Sequence, residues 1–323
     1  METTRKLRFV LYPCAFALVF IIAAYCTFPK DVVSDLAESY ITQLALSLGP
    51  KNRGLPEVSF KDASLWRFSG VALKGVVVSW PPKKNQTPLL FELNTLKGRL
   101  GIFSLLTGAR RYSAEASLYS GDLSVDVKSR KSNFTYLDME GAKIDLSKMA
   151  FVEQQLGAPL QGIFQMLSTL HANTEMTKDG TGSIKFAVEN FGYGPGSIKL
   201  PGEGMVSLLT VPKLNLGKLQ AEFTLDKGQL ESKTISLTGG DVEADLKLSV
   251  TLGRRPTSSR ITGDGWFSVK KELVNTNETL KMLYDLLPVL RAAQQGDGKA
   301  GLIIRGNLAR PDISLETYTK KNP

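Results

Sequence analysis

The alternation of apolar and polar residues in DVEADLKLSVTL, residues 241–252, limits the fold more than any other feature of the sequence. Six apolar residues occupy every second position, and Glu, Asp, Lys, Ser and Thr occupy the positions between them. Successive side chains of a β-strand point to opposite faces of a sheet. The pattern therefore predicts an antiparallel sheet with one buried and one solvated face, with Leu246 on the buried face and Lys247 on the solvated one.

Further stretches with a period of two extend this prediction over most of the chain. They cover residues 65–80, where a bend is expected near two glycines, and recur at 123–128 and 184–188. Short turns rich in Gly, Asp and Lys separate such stretches, which favours a meander of hairpins. Residues 51–323 are therefore predicted to form a β-rich domain. The Pro- and Gly-rich segment 190–204 is the best candidate for a junction within it.

A run without charged residues, from position 9 to position 28, predicts a transmembrane anchor. About 20 helical residues rise roughly 30 Å, the thickness of a bilayer's hydrocarbon core. The run exceeds the roughly 7–15 apolar residues of a signal peptide, and bulky Tyr25 precedes Cys26 where a lipoprotein site needs a small residue. An uncleaved anchor is preferred over a cleaved signal or a lipoprotein. The basic residues at positions 5–8 then place residues 1–8 in the cytoplasm and the bulk of the chain across the membrane.

Three segments have the apolar spacing of a helix. Residues 29–50 form an amphipathic helix that is predicted to cap the end of the sheet rather than lie on the bilayer, because its polar face is acidic. A second helix is expected over residues 146–170, with a break near Gly157–Pro159. The third is expected over residues 277–295, with a kink at Pro288.

The chain lacks the residue combinations that catalytic and metal sites require. Its single histidine, His171, begins an alternating run and is interpreted as an ordinary strand residue, and no cysteine follows Cys26. A zinc site is therefore not expected. Neither a G-x-S-x-G elbow nor a G-x-x-x-x-G-K-[ST] loop is present. The sequence predicts a protein that is not an enzyme, with no catalytic residue, cofactor or metal ligand. A domain without cysteine is compatible with a bacterial periplasm.

The formal net charge of +9 favours anionic surfaces such as phospholipid headgroups. The basic doublets, such as Lys83-Lys84, Arg110-Arg111 and Arg254-Arg255, are scattered along the chain without interleaved aromatic residues. They are interpreted as solvated strand ends and loops, and a nucleic-acid partner is not expected.

Several segments, taken in order, resemble the type II secretion system protein N (GspN) family. They are the apolar run leading into Phe28–Val33, the strand-like Leu65–Trp80, Ala142–Met166 with its Leu160-Gln161-Gly162 element, Leu216–Leu252, and Ala300–Leu315. The ending with Gly306, Leu308 and Pro311 is also similar to that of AsmA-like proteins, which are anchored β-sheet proteins associated with lipid traffic in the bacterial envelope.

The resemblance implies an elongated, curved antiparallel sheet behind a single inner-membrane helix, with the bulk of the chain in the periplasm. It also implies a non-enzymatic component of the type II secretion system, with inner-membrane lipids and other secretion proteins as partners. The alternative is an AsmA-like carrier that binds phospholipid in an apolar groove. An apolar face open to solvent would favour the lipid carrier, and a closed core would favour a secretion scaffold.

Overall fold

Antiparallel hydrogen bonding joins fifteen strands into one open sheet in the computed structural model. The structure describes residues 30–48, 54–67, 69–82, 88–101, 104, 108–129, 134–173, 180–199, 208–253, 258–295, 298–308 and 310–318. The predicted anchor, residues 9–28, lies outside these ranges, as do the residues at positions 1–8. Among the helices that the structure describes, none is long and apolar enough to cross a membrane.

The strands follow one another along the chain, mostly as hairpins. Their bounds are β1 Glu57–Ser59, β2 Asp62–Trp66, β3 Gly70–Trp80, β4 Leu89–Leu100, β5 Arg110–Leu118, β6 Gly121–Ser129, β7 Phe134–Asp145, β8 Leu160–Asn173, β9 Thr181–Tyr193, β10 Gly196–Lys199, β11 Leu208–Val211, β12 Leu214–Asp226, β13 Gln229–Thr238, β14 Val242–Thr251, β15 Arg260–Val269, β16 Lys299–Asn307 and β17 Arg310–Thr317.

Chain order and spatial order agree almost throughout the sheet. Strand β1 lies beside β3, strands β3 to β9 follow in chain order, and β12 to β17 continue the sheet from β9. Strand β2 also pairs with β3. Strands β10 and β11 form a separate two-stranded ribbon, after which β12 returns to pair with β9. The sheet is therefore continuous across the segment where a junction was expected. With 63% of the described residues in strands, the mainly β fold class and its antiparallel sheet are confirmed.

Tight two-residue turns explain the regular hairpins. Tyr119 and Ser120 between β5 and β6 have φ values of 50° and 67°, and Lys227 and Gly228 between β12 and β13 have 47° and 78°. Positive φ at both central residues defines a type I′ turn, whose twist matches that of antiparallel strands. Gly121 and Asp122 follow the first turn and Asp226 precedes the second, in agreement with the Gly-, Asp- and Lys-rich turns that the sequence predicts.

The helices lie at the two ends of the sheet. Their bounds are α1 Lys30–Leu48, α2 Ala150–Leu156, α3 Lys271–Thr276, α4 Glu278–Leu286 and α5 Pro288–Gln295, with a 3-10 turn at Leu146–Lys148. Helix α1 packs on β1, β2 and β3, and α2 packs on β4. Helix α5 packs on β16 and β17 at the other end. The amphipathic helix thus caps the sheet as predicted, and the third predicted helix is divided into α4 and α5 at Leu287.

The face of α1 that contacts the sheet is rotated from the apolar stripe that the sequence suggests. Val33 and Ala45 are buried against the sheet. Leu36, Tyr40 and Leu44 are 57%, 66% and 62% exposed, respectively. Capping therefore uses only part of the helix's apolar surface.

Residues 160–170 are strand rather than helix, so the second half of one predicted helix is wrong. They belong to β8, which pairs with β7 on one side and β9 on the other. Leucine and phenylalanine at helical spacing suggested the helix, but backbone pairing on both edges outweighs that local preference. The bend expected in residues 65–80 is likewise a turn between two strands, β2 and β3.

Two packed clusters form the core, one at each end. The first contains Val33, Val58, Val76, Trp80 and Leu89, with Val76 fully buried. The second joins the helices α3–α5 to β16, and its buried members are Val274, Tyr284, Leu290, Ala293 and Ala300. No buried cluster of described residues joins these two across the intervening strands.

Candidate functional site

One face of the sheet between the two clusters is uncharged. Residues directly opposite each other in an antiparallel pair share a face, so the register lets this face be followed from strand to strand. In β8, β9 and β12 it carries Phe164, Met166, Leu170, Ile184, Phe186, Val188, Leu219, Ala221, Phe223 and Leu225.

The same register continues the uncharged face to both sides. It runs through Ala114 and Val125 in β5 and β6, and through Leu246 and Leu302 in β14 and β16. From β5 to β17, the charged side chain at a paired position on this face in the described strands is that of Arg110, which lies at the rim opposite Ser129. We call this surface the apolar face.

Most side chains of the apolar face are half-buried rather than buried. A few, such as Val188, Ala221 and Val250, are buried. Leu246 was predicted on the buried face; it lies on the apolar face but is only half-buried. The reason is that the packed clusters lie at the ends of the sheet, so the central strands keep part of their apolar surface in contact with solvent.

Three phenylalanines cross the middle of the apolar face. The ring centroids of Phe164 and Phe186 are 6.2 Å apart, and those of Phe186 and Phe223 are 6.3 Å apart. They come from β8, β9 and β12 and meet diagonally across neighbouring strands, within the distance range of aromatic pairs. They give the centre of the face a continuous aromatic surface.

The apolar face is also open near the first end of the sheet. Gly98 in β4 pairs with Ala114 in β5, and a Cβ atom placed on Gly98 would meet no heavy atom within 4 Å. The space next to Gly98 on this face is therefore open.

The opposite face is polar, and several of its charges are paired across strands. Cross-strand ion pairs join Lys185 to Glu222 at 3.2 Å and Lys218 to Glu189 at 2.8 Å. Hydrogen bonds from Lys233 and Lys185 lower the pKa of the Glu222 carboxyl. This face therefore carries most of the charged side chains of the strands, and the two faces of the sheet differ in chemistry.

His171 lies on the polar face, in β8. Its ring contacts that of Tyr136 edge-on at 4.6 Å, and it pairs with Thr181 in β9. This placement agrees with the interpretation of His171 as a strand residue. In the described part of the chain, no three His, Cys, Asp or Glu side chains stand close enough to hold a metal ion.

The sequence analysis places Phe164 in a predicted helix. It therefore does not reveal that three phenylalanines lie side by side across the apolar face. Alternation over Phe164, Met166 and Leu170 was the signal that could have shown it, but the exposed Leu167 interrupts the pattern. The chain matches no protein-family model, no curated protein and no solved structure.

Proposed function

We propose that this protein is a non-enzymatic lipid-binding protein of the bacterial envelope, and that its apolar face holds the acyl chains of phospholipid. The observation that carries the proposal is an uncharged, half-buried face that continues over the strands between the two packed clusters. Partly exposed apolar side chains gain about 25 cal/mol for each Å² that a ligand removes from water.

The dimensions of the apolar face suit acyl chains. A strand of ten residues spans about 33 Å, slightly more than the roughly 30 Å hydrocarbon core of a whole bilayer. Thirteen strand spacings of about 4.8 Å, along the path from β1 to β17, give a sheet about 60 Å long. An extended acyl chain, which spans half of a bilayer core, fits on this surface in either direction.

Photo-crosslinking tests the proposal without requiring a disruptive mutation. A benzoyl-phenylalanine at Phe186, on the apolar face, is expected to form phospholipid adducts in cells, detected by mass spectrometry of the purified full chain. The control position is Leu167, which is 55% exposed on the polar face of the adjacent strand. Adducts at Leu167 but not at Phe186, or equal adducts at both, would contradict acyl-chain binding on the apolar face.

The proposed setting is the inner membrane, with residues 9–28 as the anchor and the sheet in the periplasm. It rests on the uncharged run, the basic residues at positions 5–8 and the resemblance of segments to the type II secretion protein N family. An accessory role in type II secretion, through protein as well as lipid contacts, is part of this proposal.

Purification of the full chain in mild detergent, followed by mass spectrometry of its lipids and proteins, tests this setting. Phospholipid together with other secretion proteins is the expected recovery. Recovery of phospholipid without any secretion protein would favour a lipid carrier that acts outside that system. Recovery of secretion proteins without phospholipid would favour a scaffold.

A further inference from the structure

A tryptophan surrounded by cations lies where β2, β3 and β4 meet at one rim of the sheet. The centroid of the Trp66 ring is 4.8 Å from Cζ of Arg67 and 5.7 Å from both Nζ of Lys97 and Cζ of Arg99. These distances lie within the range of cation–π attraction. Three positive charges are thereby held around one half-buried aromatic ring.

The backbone holds this cluster in place. Trp66 pairs with Gly70, and Gly70 pairs with Arg99 on its other side. A Cβ atom on Gly70 would stand 2.8 Å from both the Arg99 Cβ and the Trp66 carbonyl oxygen, so a larger residue would disturb the cluster. Ser69 Oγ donates a hydrogen bond of 2.5 Å to the Leu100 carbonyl, which ties the Arg67 turn to the end of β4.

The hairpin topology brings further cations to the same rim. Strand β4 ends and β5 begins there, and residues 97–112 contain four cations and no carboxylate. Strand β6, which pairs with β5, ends there as well. The doublet Arg110-Arg111, which appears isolated in the sequence, thus lies at the same rim as Trp66 and its cations. We call this set the basic rim, and its described members are Arg67, Lys97, Arg99, Arg110, Arg111 and Lys128.

Part of the charge on the basic rim has no acidic partner. Lys97, Arg111 and Lys128 form ion pairs with Glu115, Asp126 and Asp138. Within the described residues, no ion pair involves the other three cations of the rim. The rim therefore keeps an excess of positive charge that an external anionic surface can neutralise.

Amphipathic aromatic side chains accompany this charge. Trp66 lies on the polar face, and Tyr112, which is 46% exposed, lies at the same rim on the apolar face. Tryptophan and tyrosine favour the headgroup region of a bilayer, and each Lys or Arg near an anionic membrane adds to its attraction. An acidic protein surface would match the charge but would give no reason for these aromatics on both sides of the rim.

We propose that the basic rim docks on the surface of an anionic phospholipid bilayer. The proposal is independent of acyl-chain binding on the apolar face, because it concerns headgroups at the rim. Its test follows the fluorescence of Trp66 in the full chain after Trp80→Phe and Trp266→Phe. The protein is reconstituted into vesicles of phosphatidylcholine brominated near the headgroup, with or without phosphatidylglycerol.

Anchor insertion is not the measured quantity in this test, because residues 9–28 are expected to enter both kinds of vesicle. Trp66 is expected to be quenched several-fold more when phosphatidylglycerol is present, and high salt is expected to remove the difference. The variant Arg67→Gln/Arg99→Gln/Arg110→Gln is expected to lose the difference, because three cations together contribute about a hundredfold preference for an anionic surface.

A matched variant separates local from overall charge. Lys213→Gln/Lys247→Gln/Lys271→Gln removes the same net charge at exposed positions away from the rim, and it should leave the quenching unchanged. Equal quenching in both kinds of vesicle, an equal loss in the matched variant, or no quenching with phosphatidylglycerol would overturn the proposal. In the last case, an acidic protein surface would become the better occupant.

Discussion

Asp126 shows how a single pair of residues can tie two strands together on the polar face. It stands directly opposite Ser113 across β5 and β6. Ser113 Oγ donates a hydrogen bond of 2.6 Å to Asp126 Oδ1, and Arg111 Nη2 lies 3.3 Å from the same oxygen. The Ser113 hydrogen bond, assisted by the Arg111 charge, holds the pKa of the Asp126 carboxyl below its usual value.

This lowered pKa leads to a prediction about stability and pH. A group with a depressed folded-state pKa stabilises the fold above its unfolded pKa, and this contribution disappears as pH falls through the folded pKa. Ser113→Ala is therefore expected to lower the free energy of unfolding by about 1 kcal/mol at neutral pH and by much less in strong acid. Urea unfolding of the full chain in detergent, at both pH values, measures the difference.

The control for this prediction is Ser124→Ala, at an exposed position on the next strand. It should have little effect at either pH. A loss in Ser113→Ala that is the same in acid as at neutral pH would show that packing, rather than the carboxylate, accounts for the effect.

Individual residues also show the limit of reading burial from alternation. The pattern assigned Leu246 and Lys247 to opposite faces, as the structure has them. It could not show that Leu246 is only half-buried, because alternation reports the face of a side chain and not what covers it. Coverage depends on helices that lie far away in the sequence.

At the scale of elements, the helices act as caps on the two ends of the sheet. The cluster around Val76 depends on α1 and β1–β4, and the cluster around Leu290 depends on α3–α5 and β15–β17. Since no buried cluster of described residues links them, each end is expected to open without the other.

Val76→Ala is expected to destabilise the first end by about 2 kcal/mol, because it removes two methyl groups from a fully buried site. Amide hydrogen exchange in β1–β4 should then become roughly thirtyfold faster, while exchange in β15–β17 stays unchanged. Leu290→Ala is the mirror variant and should affect only the second end. Acceleration of both ends by either variant would mean that the sheet opens as one cooperative unit.

Elements differ in how far the sequence could predict them. Helix α1 and the hairpin turns have strong local signals, such as the Gly49-Pro50 stop and the Lys-Gly turn at 227–228. Strand β8 does not, because its residues have helical spacing and its conformation is decided by pairing with β7 and β9. Prediction failed where neighbouring strands, rather than local residues, determine the structure.

At the scale of the whole molecule, the sequence predicted the mainly β antiparallel sheet but neither the extent of the apolar face nor the basic rim. Both surfaces depend on register and strand order. Arg67, Arg99 and Arg110 lie far enough apart in the chain to look unrelated, and only the return of each hairpin to the same rim brings them together. A search for short sequence motifs cannot reveal a surface whose residues are brought together only by the strand order.

The near-identity of chain order and spatial order also makes the length of this molecule adjustable. Each strand owes its position to its two neighbours, as in repeat proteins whose stability is a sum of local interfaces. Insertion of one hairpin would lengthen the sheet by about 10 Å and leave every later strand facing the same way. Insertion of a single strand would instead send every later turn to the opposite rim. The architecture can therefore grow or shrink in steps of two strands, each of which changes the length of the sheet by about 10 Å.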